Sequence, residues 1–129
     1  MKVYLIVILS FLLVPIFFSC SDDYIENGIE GKWQMTKIVK EDGRELTVDT
    51  IFYNFKKGVY MYQRSTNKGF TYSTGLYEEK SDSLYLDIRY GNNPVEWNGD
   101  SLRVYKIEKR KSTRMELVYQ NDKYLFRKY

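Results

Sequence analysis

The chain has 129 residues, 20 basic and 17 acidic side chains and no histidine, a length that suits one domain. The near balance of charge argues against a dedicated nucleic-acid binder, whose basic side chains would gather into one stripe. The missing histidine removes the commonest general base, the usual zinc ligand and every Ser-His or Cys-His arrangement. What is abundant is aromatic: 13 tyrosines, 7 phenylalanines and 2 tryptophans, with no alanine at all. Such residues favour strands, where they cover neighbours on a pleated surface.

Lys2 precedes an apolar run from Val3 to Phe18, broken only by Ser10 and containing Pro15. The run is short for a spanning helix, which needs about 20 residues, and suits a signal-peptide core. Residues 1–19 are therefore expected to be a lipoprotein signal peptide, 20–29 a lipidated tether and 30–129 the folded domain. Phe17-Phe18-Ser19-Cys20 resembles a bacterial lipobox, with Phe17 where leucine is usual and Phe18 where a small residue is usual. The resemblance implies lipid, palmitate among it, on the thiol and amine of Cys20. As the one cysteine of the chain, Cys20 has no disulfide partner, and two or more acyl chains give lasting attachment to a membrane. Ser21-Asp22-Asp23 resembles the export signal of Bacteroides lipoproteins, which implies the outer membrane and the cell surface. A solvated acidic linker is the other reading of the same residues.

From Gly31 the text reads as strands and turns. Lys32-Trp33-Gln34-Met35 alternates polar and apolar, as a half-buried strand does. Ile38 and Val39 then fall out of step, which predicts a bulge. Glu41-Asp42-Gly43-Arg44 is a turn with an Asp-Gly signal, followed by a strand over Thr50 to Phe55. Lys56-Lys57-Gly58 and Asn67-Lys68-Gly69 turn the chain into strands at Val59 to Arg64 and Phe70 to Glu78. The cleanest alternation follows, with Leu84, Leu86 and Ile88 on one face and Tyr85, Asp87 and Arg89 on the other. Tyr90 to Gly99 is the longest irregular stretch, with Trp97 as its expected anchor. Strands close the chain at Leu102 to Glu108, Arg114 to Tyr119 and Lys123 to Lys128. Short strands joined by tight turns predict an all-β fold, an antiparallel up-and-down meander barrel of about eight strands.

Gly31-Lys32-Trp33 resembles the lipocalin Gly-x-Trp signature, which implies a tryptophan plugging the closed end of a barrel. Gly75-Leu76-Tyr77, Leu84-Tyr85-Leu86, Trp97, Ile107, Met115-Glu116-Leu117 and Tyr124-Leu125-Phe126 extend the likeness to the lipocalin-like domains of Bacteroides lipoproteins. The likeness covers about residues 29 to 129 and lacks the C-terminal lipocalin helix. It implies binding rather than catalysis.

The carboxylate pairs Glu78-Glu79 and Asp82-Asp87 read as solvated charge at strand ends, and no glycine loop for phosphate is present. The sequence thus points away from an enzyme, from a metal site and from a cofactor. Trp33, Met35, Tyr53, Phe55, Tyr72, Leu76, Leu86 and Ile88 are expected inside, either filling a small core or lining a pocket for a small hydrophobic ligand. Tyr60, Tyr62 and Tyr85 are expected outside, where they could meet a glycan or another envelope protein. Thr50, Ser83 and Ser101 each follow an aspartate and precede an apolar residue, a triplet that resembles the Bacteroides O-glycosylation acceptor and also makes a good strand entry.

Overall fold

The computed structural model describes residues 28–129. The signal segment, Cys20 and Ser21-Asp22-Asp23 lie outside the described residues. The strands are β1 (Gly31–Val39), β2 (Glu45–Lys56), β3 (Val59–Thr66), β4 (Gly69–Lys80), β5 (Ser83–Gly91), β6 (Leu102–Arg110), β7 (Arg114–Tyr119) and β8 (Asp122–Lys128). Each pairs antiparallel with its sequence neighbours, and β1 pairs with β8 to close the barrel. Among the described strands, closure leaves no edge open to pairing with another chain. A single 3-10 turn, Val95–Trp97, interrupts the β5–β6 connection.

Turn chemistry sets the register. Lys57 and Gly58 both have positive φ, the backbone of a two-residue type I′ hairpin. That turn forces Lys56 opposite Val59, hence Phe55 opposite Tyr60 and Tyr53 opposite Tyr62. Directly opposed residues share a face, so all four rings point inward and are buried. This corrects the expectation that Tyr60 and Tyr62 face outward.

The slip in β1 is a bulge at Thr36 in the pairing with β8, while toward β2 the extra residues lie on β2, where Val48 to Thr50 face Thr36 alone. The Thr36 hydroxyl donates to the Leu125 carbonyl at 3.1 Å, and the extra residue brings Ile38 back to the inner face, where it is buried. On β4 the inner face belongs to Ser73, Gly75 and Tyr77, so Tyr72 and Leu76 point outward, about half exposed. The expectation of Tyr72 and Leu76 inside was wrong because the small residues have the inward phase. A β-carbon on Gly75 would meet the Asp87 carbonyl oxygen and the Tyr60 ring. Size, not polarity, fixes that face.

The interior is filled by large side chains. Trp33, Met35, Tyr53, Phe55, Leu84, Leu86, Trp97, Tyr105, Met115, Leu117, Tyr124 and Phe126 form one core, with Ile88 packed at its border. Rings meet edge-on, as at Tyr53–Phe126 (5.6 Å) and Tyr105–Tyr124 (5.3 Å), an arrangement that adds to plain area burial. Trp97 is fully buried, as its role of anchor requires.

Candidate functional site

The two ends of the barrel are built differently. At the end where β1 begins, Ile29 is buried across the opening. Its N–H donates to Glu79 Oε1 at 2.8 Å, and its carbonyl accepts the Trp33 indole N–H at 2.8 Å. Glu79 is in turn paired with Arg110. Lys128 Nζ sits 4.5 Å from the Trp33 ring centre and donates to the Glu30 carbonyl at 2.6 Å. Burial pushes the Lys128 ammonium below its ordinary range. Trp33 therefore plugs a sealed end, with its polar atom used.

At the opposite end, the Val95–Trp97 turn folds over the barrel. Pro94 precedes it without a side-chain cap, and Asn98 closes it in the left-handed region at φ 53°. Glu96 reaches inward, where the Tyr53 hydroxyl donates to its Oε1 at 2.6 Å and the Tyr62 hydroxyl to its Oε2 at 3.2 Å. The opposed positions of the two tyrosines on β2 and β3 bring both hydroxyls to one carboxylate. Burial raises the Glu96 carboxyl above its ordinary range, although the two tyrosine hydrogen bonds work in the other direction. Burial, followed by the neighbouring Glu96 charge, pushes Tyr53 and Tyr62 well up. Beside the turn lies an open depression of about 350 Å³, walled by Ile38, Leu46, Val48, Ile51 and Val95, with Glu96 among its lining.

Arg103, on β6 opposite Leu86, is only 2 % exposed. Its guanidinium lies 3.7 Å from the Tyr119 ring centre and 5.6 and 5.7 Å from those of Trp97 and Tyr105. Nη2 donates to the Glu96 backbone carbonyl at 3.3 Å. Nε and Nη1 have no hydrogen-bond partner among the described residues, and neither do the Tyr60 and Tyr105 hydroxyls, Ser73 Oγ or the Trp97 indole nitrogen. Native interiors leave few such atoms unpaired. Here several stand in the interior beneath the 95–97 turn.

The other residues singled out from sequence do not converge. Thr50 is exposed inside β2, so its triplet is mid-strand and not a strand entry, and Asp49 beside it is held by Arg64. Ser83 opens β5, and exposed Ser101 precedes β6. Asp87 pairs with Arg89 at 2.9 Å. Glu79, expected as solvated charge, is instead part of the sealed end.

Two residues that build the mouth, Glu96 and Arg103, were not singled out in the sequence. Arg103 alternates with Tyr105 and Ile107, while Leu102, Val104 and Lys106 form a rival face that is equally apolar. Only the pairing of Arg103 with inward Leu86 decides between them. For Glu96 the signal was its place beside the anchoring Trp97 in an otherwise polar loop.

The outer wall also has two characters. Val59, Met61, Phe70, Tyr72, Leu76, Tyr85, Tyr90, Leu102 and Val104 are exposed over β3 to β6. The outward side of β1, β7 and β8 carries Lys37, Arg114, Glu116 and Arg127 around a groove of about 390 Å³.

Relatives bear on this geometry. A crystal structure of a lipocalin-like protein from Bacteroides uniformis is similar to the chain, with a TM-score of 0.66 and 26 % identity over 78 % of this chain and 97 % of that one. An uncharacterized protein from Bacteroides eggerthii is similar with a TM-score of 0.69 and 28 % identity, over 78 % and 98 %. No curated protein matches the chain. The family model of the lipocalin-like domain matches residues 13–129. With its meander barrel, its tryptophan-sealed end and its polar mouth, the chain belongs to the lipocalin-like domain family.

Proposed function

We propose that the chain is a non-catalytic binding module of the cell envelope, held on the outer membrane by lipid on Cys20 and displayed at the cell surface through Ser21-Asp22-Asp23. Its domain takes a small apolar or amphipathic molecule at the mouth. The observation that carries the binding reading is the depression of about 350 Å³ beside the 95–97 turn, walled by Ile38, Leu46, Val48, Ile51 and Val95 with Thr47, Asp49 and Glu96 among its lining. Ligand sites combine apolar walls with a few placed polar groups, at volumes from about 300 Å³ upward. Native mass spectrometry of protein purified from the source cell tests it: a small molecule should co-purify, and repeated preparations free of any would reject the reading. Palmitate-analogue labelling tests the anchor, since Cys20→Ser should abolish both the label and membrane retention. Intact mass tests Thr50, Ser83 and Ser101, where a mass accounted for by protein and lipid alone would remove glycosylation.

A second reading has its own support in the exposed apolar wall over β3 to β6, which includes Tyr72, Leu76 and Tyr85. Contiguous exposed apolar surface marks contact sites, and here it would face a glycan or another envelope protein. A photoreactive residue at Leu76 should cross-link in intact cells, and an adduct-free result would discard this role.

A further inference from the structure

We propose that Arg103 is the recognition group of an internal site for a small aryl carboxylate, and that the Glu96-Trp97 pair fills this site as a stand-in when no ligand is bound. The inference rests on the binding reading above, names a ligand class, and seats the ligand inside the barrel under the 95–97 turn, next to the outer depression and not in it.

A guanidinium removed from water is costly unless paired, and Arg103 is removed almost completely. Among the described residues it has no carboxylate within ion-pairing distance; the carboxylate in its neighbourhood, on Glu96, is held by Tyr53 and Tyr62 instead. Arg103 spends one N–H on a backbone carbonyl at 3.3 Å, lies against the Tyr124 hydroxyl, and leaves Nε and Nη1 without a close hydrogen bond. Arginine presents a planar fork that suits a carboxylate with two parallel hydrogen bonds. Around this fork stand Trp97, Tyr105 and Tyr119. The unpaired Tyr105 hydroxyl is a further donor in the same half of the barrel.

The occupant of this half in the present structure is chemically telling. It is a carboxylate adjacent to an indole, delivered on a three-residue turn without a side-chain N-cap. The Trp97 indole N–H makes only a loose contact with the Tyr105 hydroxyl, so its departure sacrifices little hydrogen bonding. Glu96 leaves two tyrosine hydroxyls for water or for the incoming molecule. A ligand with an aryl body and a carboxylate would replace the ring of Trp97 with its own ring, and would give Arg103 the anion it lacks. Val95, exposed on the outer side of the turn, would move outward with it.

Three indoles with one body and different charge test this: 3-indolepropionate, neutral 3-methylindole and cationic tryptamine. Calorimetry uses the full-length chain in lipid nanodiscs, with empty nanodiscs as blank. The acid should bind at least ten-fold more tightly than the neutral indole, with the amine weakest. Arg103→Met should bring the acid down to the affinity of 3-methylindole, and Glu96→Gln should weaken it several-fold, because the neutral side chain stabilises the closed turn that the ligand must displace. Equal affinities for acid and neutral indole, or a preference that survives Arg103→Met, would overturn the inference while binding itself stands. If Arg103→Met does not fold, the charge series and Glu96→Gln decide, and the absence of either effect overturns it. Binding of none of the three also overturns it, whereas the wider binding reading falls only if native mass spectrometry finds nothing co-purifying.

Discussion

The chain has two tryptophans at opposite ends of one barrel, both fully buried, and their surroundings differ. Trp33 lies in a regular strand, donates its N–H to Ile29, and is covered by the Lys128 ammonium. Around it the Ile29 N–H, Glu79 and Arg110 are also satisfied. Trp97 lies on an irregular connection, its N–H has no partner, and the Arg103, Tyr60 and Tyr105 polar atoms nearby are left over. The first arrangement is what a structural seal needs. The second leaves buried polar atoms without close partners, which lowers stability.

The sharpest way to break this contrast is to remove each indole. Trp33→Ala should cost about 3–5 kcal/mol in urea unfolding, the range for large core truncations. Trp97→Ala should cost less than half as much, and equal losses would show that the mouth is as structural as the seal. Next, Glu79→Ala should cost about 1–3 kcal/mol, because it leaves the Ile29 N–H and Arg110 without their acceptor; thermal unfolding measures it. At the mouth, the raised Glu96 carboxyl binds its proton more tightly in the folded than in the unfolded chain. Stability from this group is therefore fully present below the ordinary glutamate range and is lost as pH rises through the raised value. Glu96→Gln should be more stable than the parent near neutral pH, with the gain vanishing in mild acid. A variant no more stable than the parent near neutral pH would contradict the assignment of Glu96 as a costly buried charge. Smallest of all, Lys128→Met should change stability by about 1 kcal/mol or less, the scale of one partly exposed cation–π contact.

Much of this architecture was readable from local signals. The turn residues gave the meander, and the slipped alternation after Met35 gave the bulge at Thr36. The Gly-x-Trp likeness gave the sealed end. Faces were legible only where one phase of a strand is clearly the more apolar, as for Leu84 and Leu86. On β3 the phase had to come from the Lys57-Gly58 turn, which places Tyr60 and Tyr62 opposite inward rings. On β4 the rule that apolar side chains go inside misleads, since Ser73 and Gly75 take the inner positions and leave Tyr72 and Leu76 outside. The mouth was hardest to read. Glu96 and Arg103 are charged, and charge in an alternating pattern normally signals the outer face. Their inward placement follows from tertiary pairing, which no window of neighbouring residues contains.

Barrel closure has a kinetic side. Among the described strands every ladder but one joins sequence neighbours, whereas β1–β8 joins residues as distant as Trp33 and Lys128. The largest single loop-closure cost of the fold therefore falls on joining these two strands. Until it occurs, the β1 and β8 edges are open to any other extended chain. A barrel-forming chain of this kind passes from sticky to inert at a single event, the meeting of its first strand with its eighth.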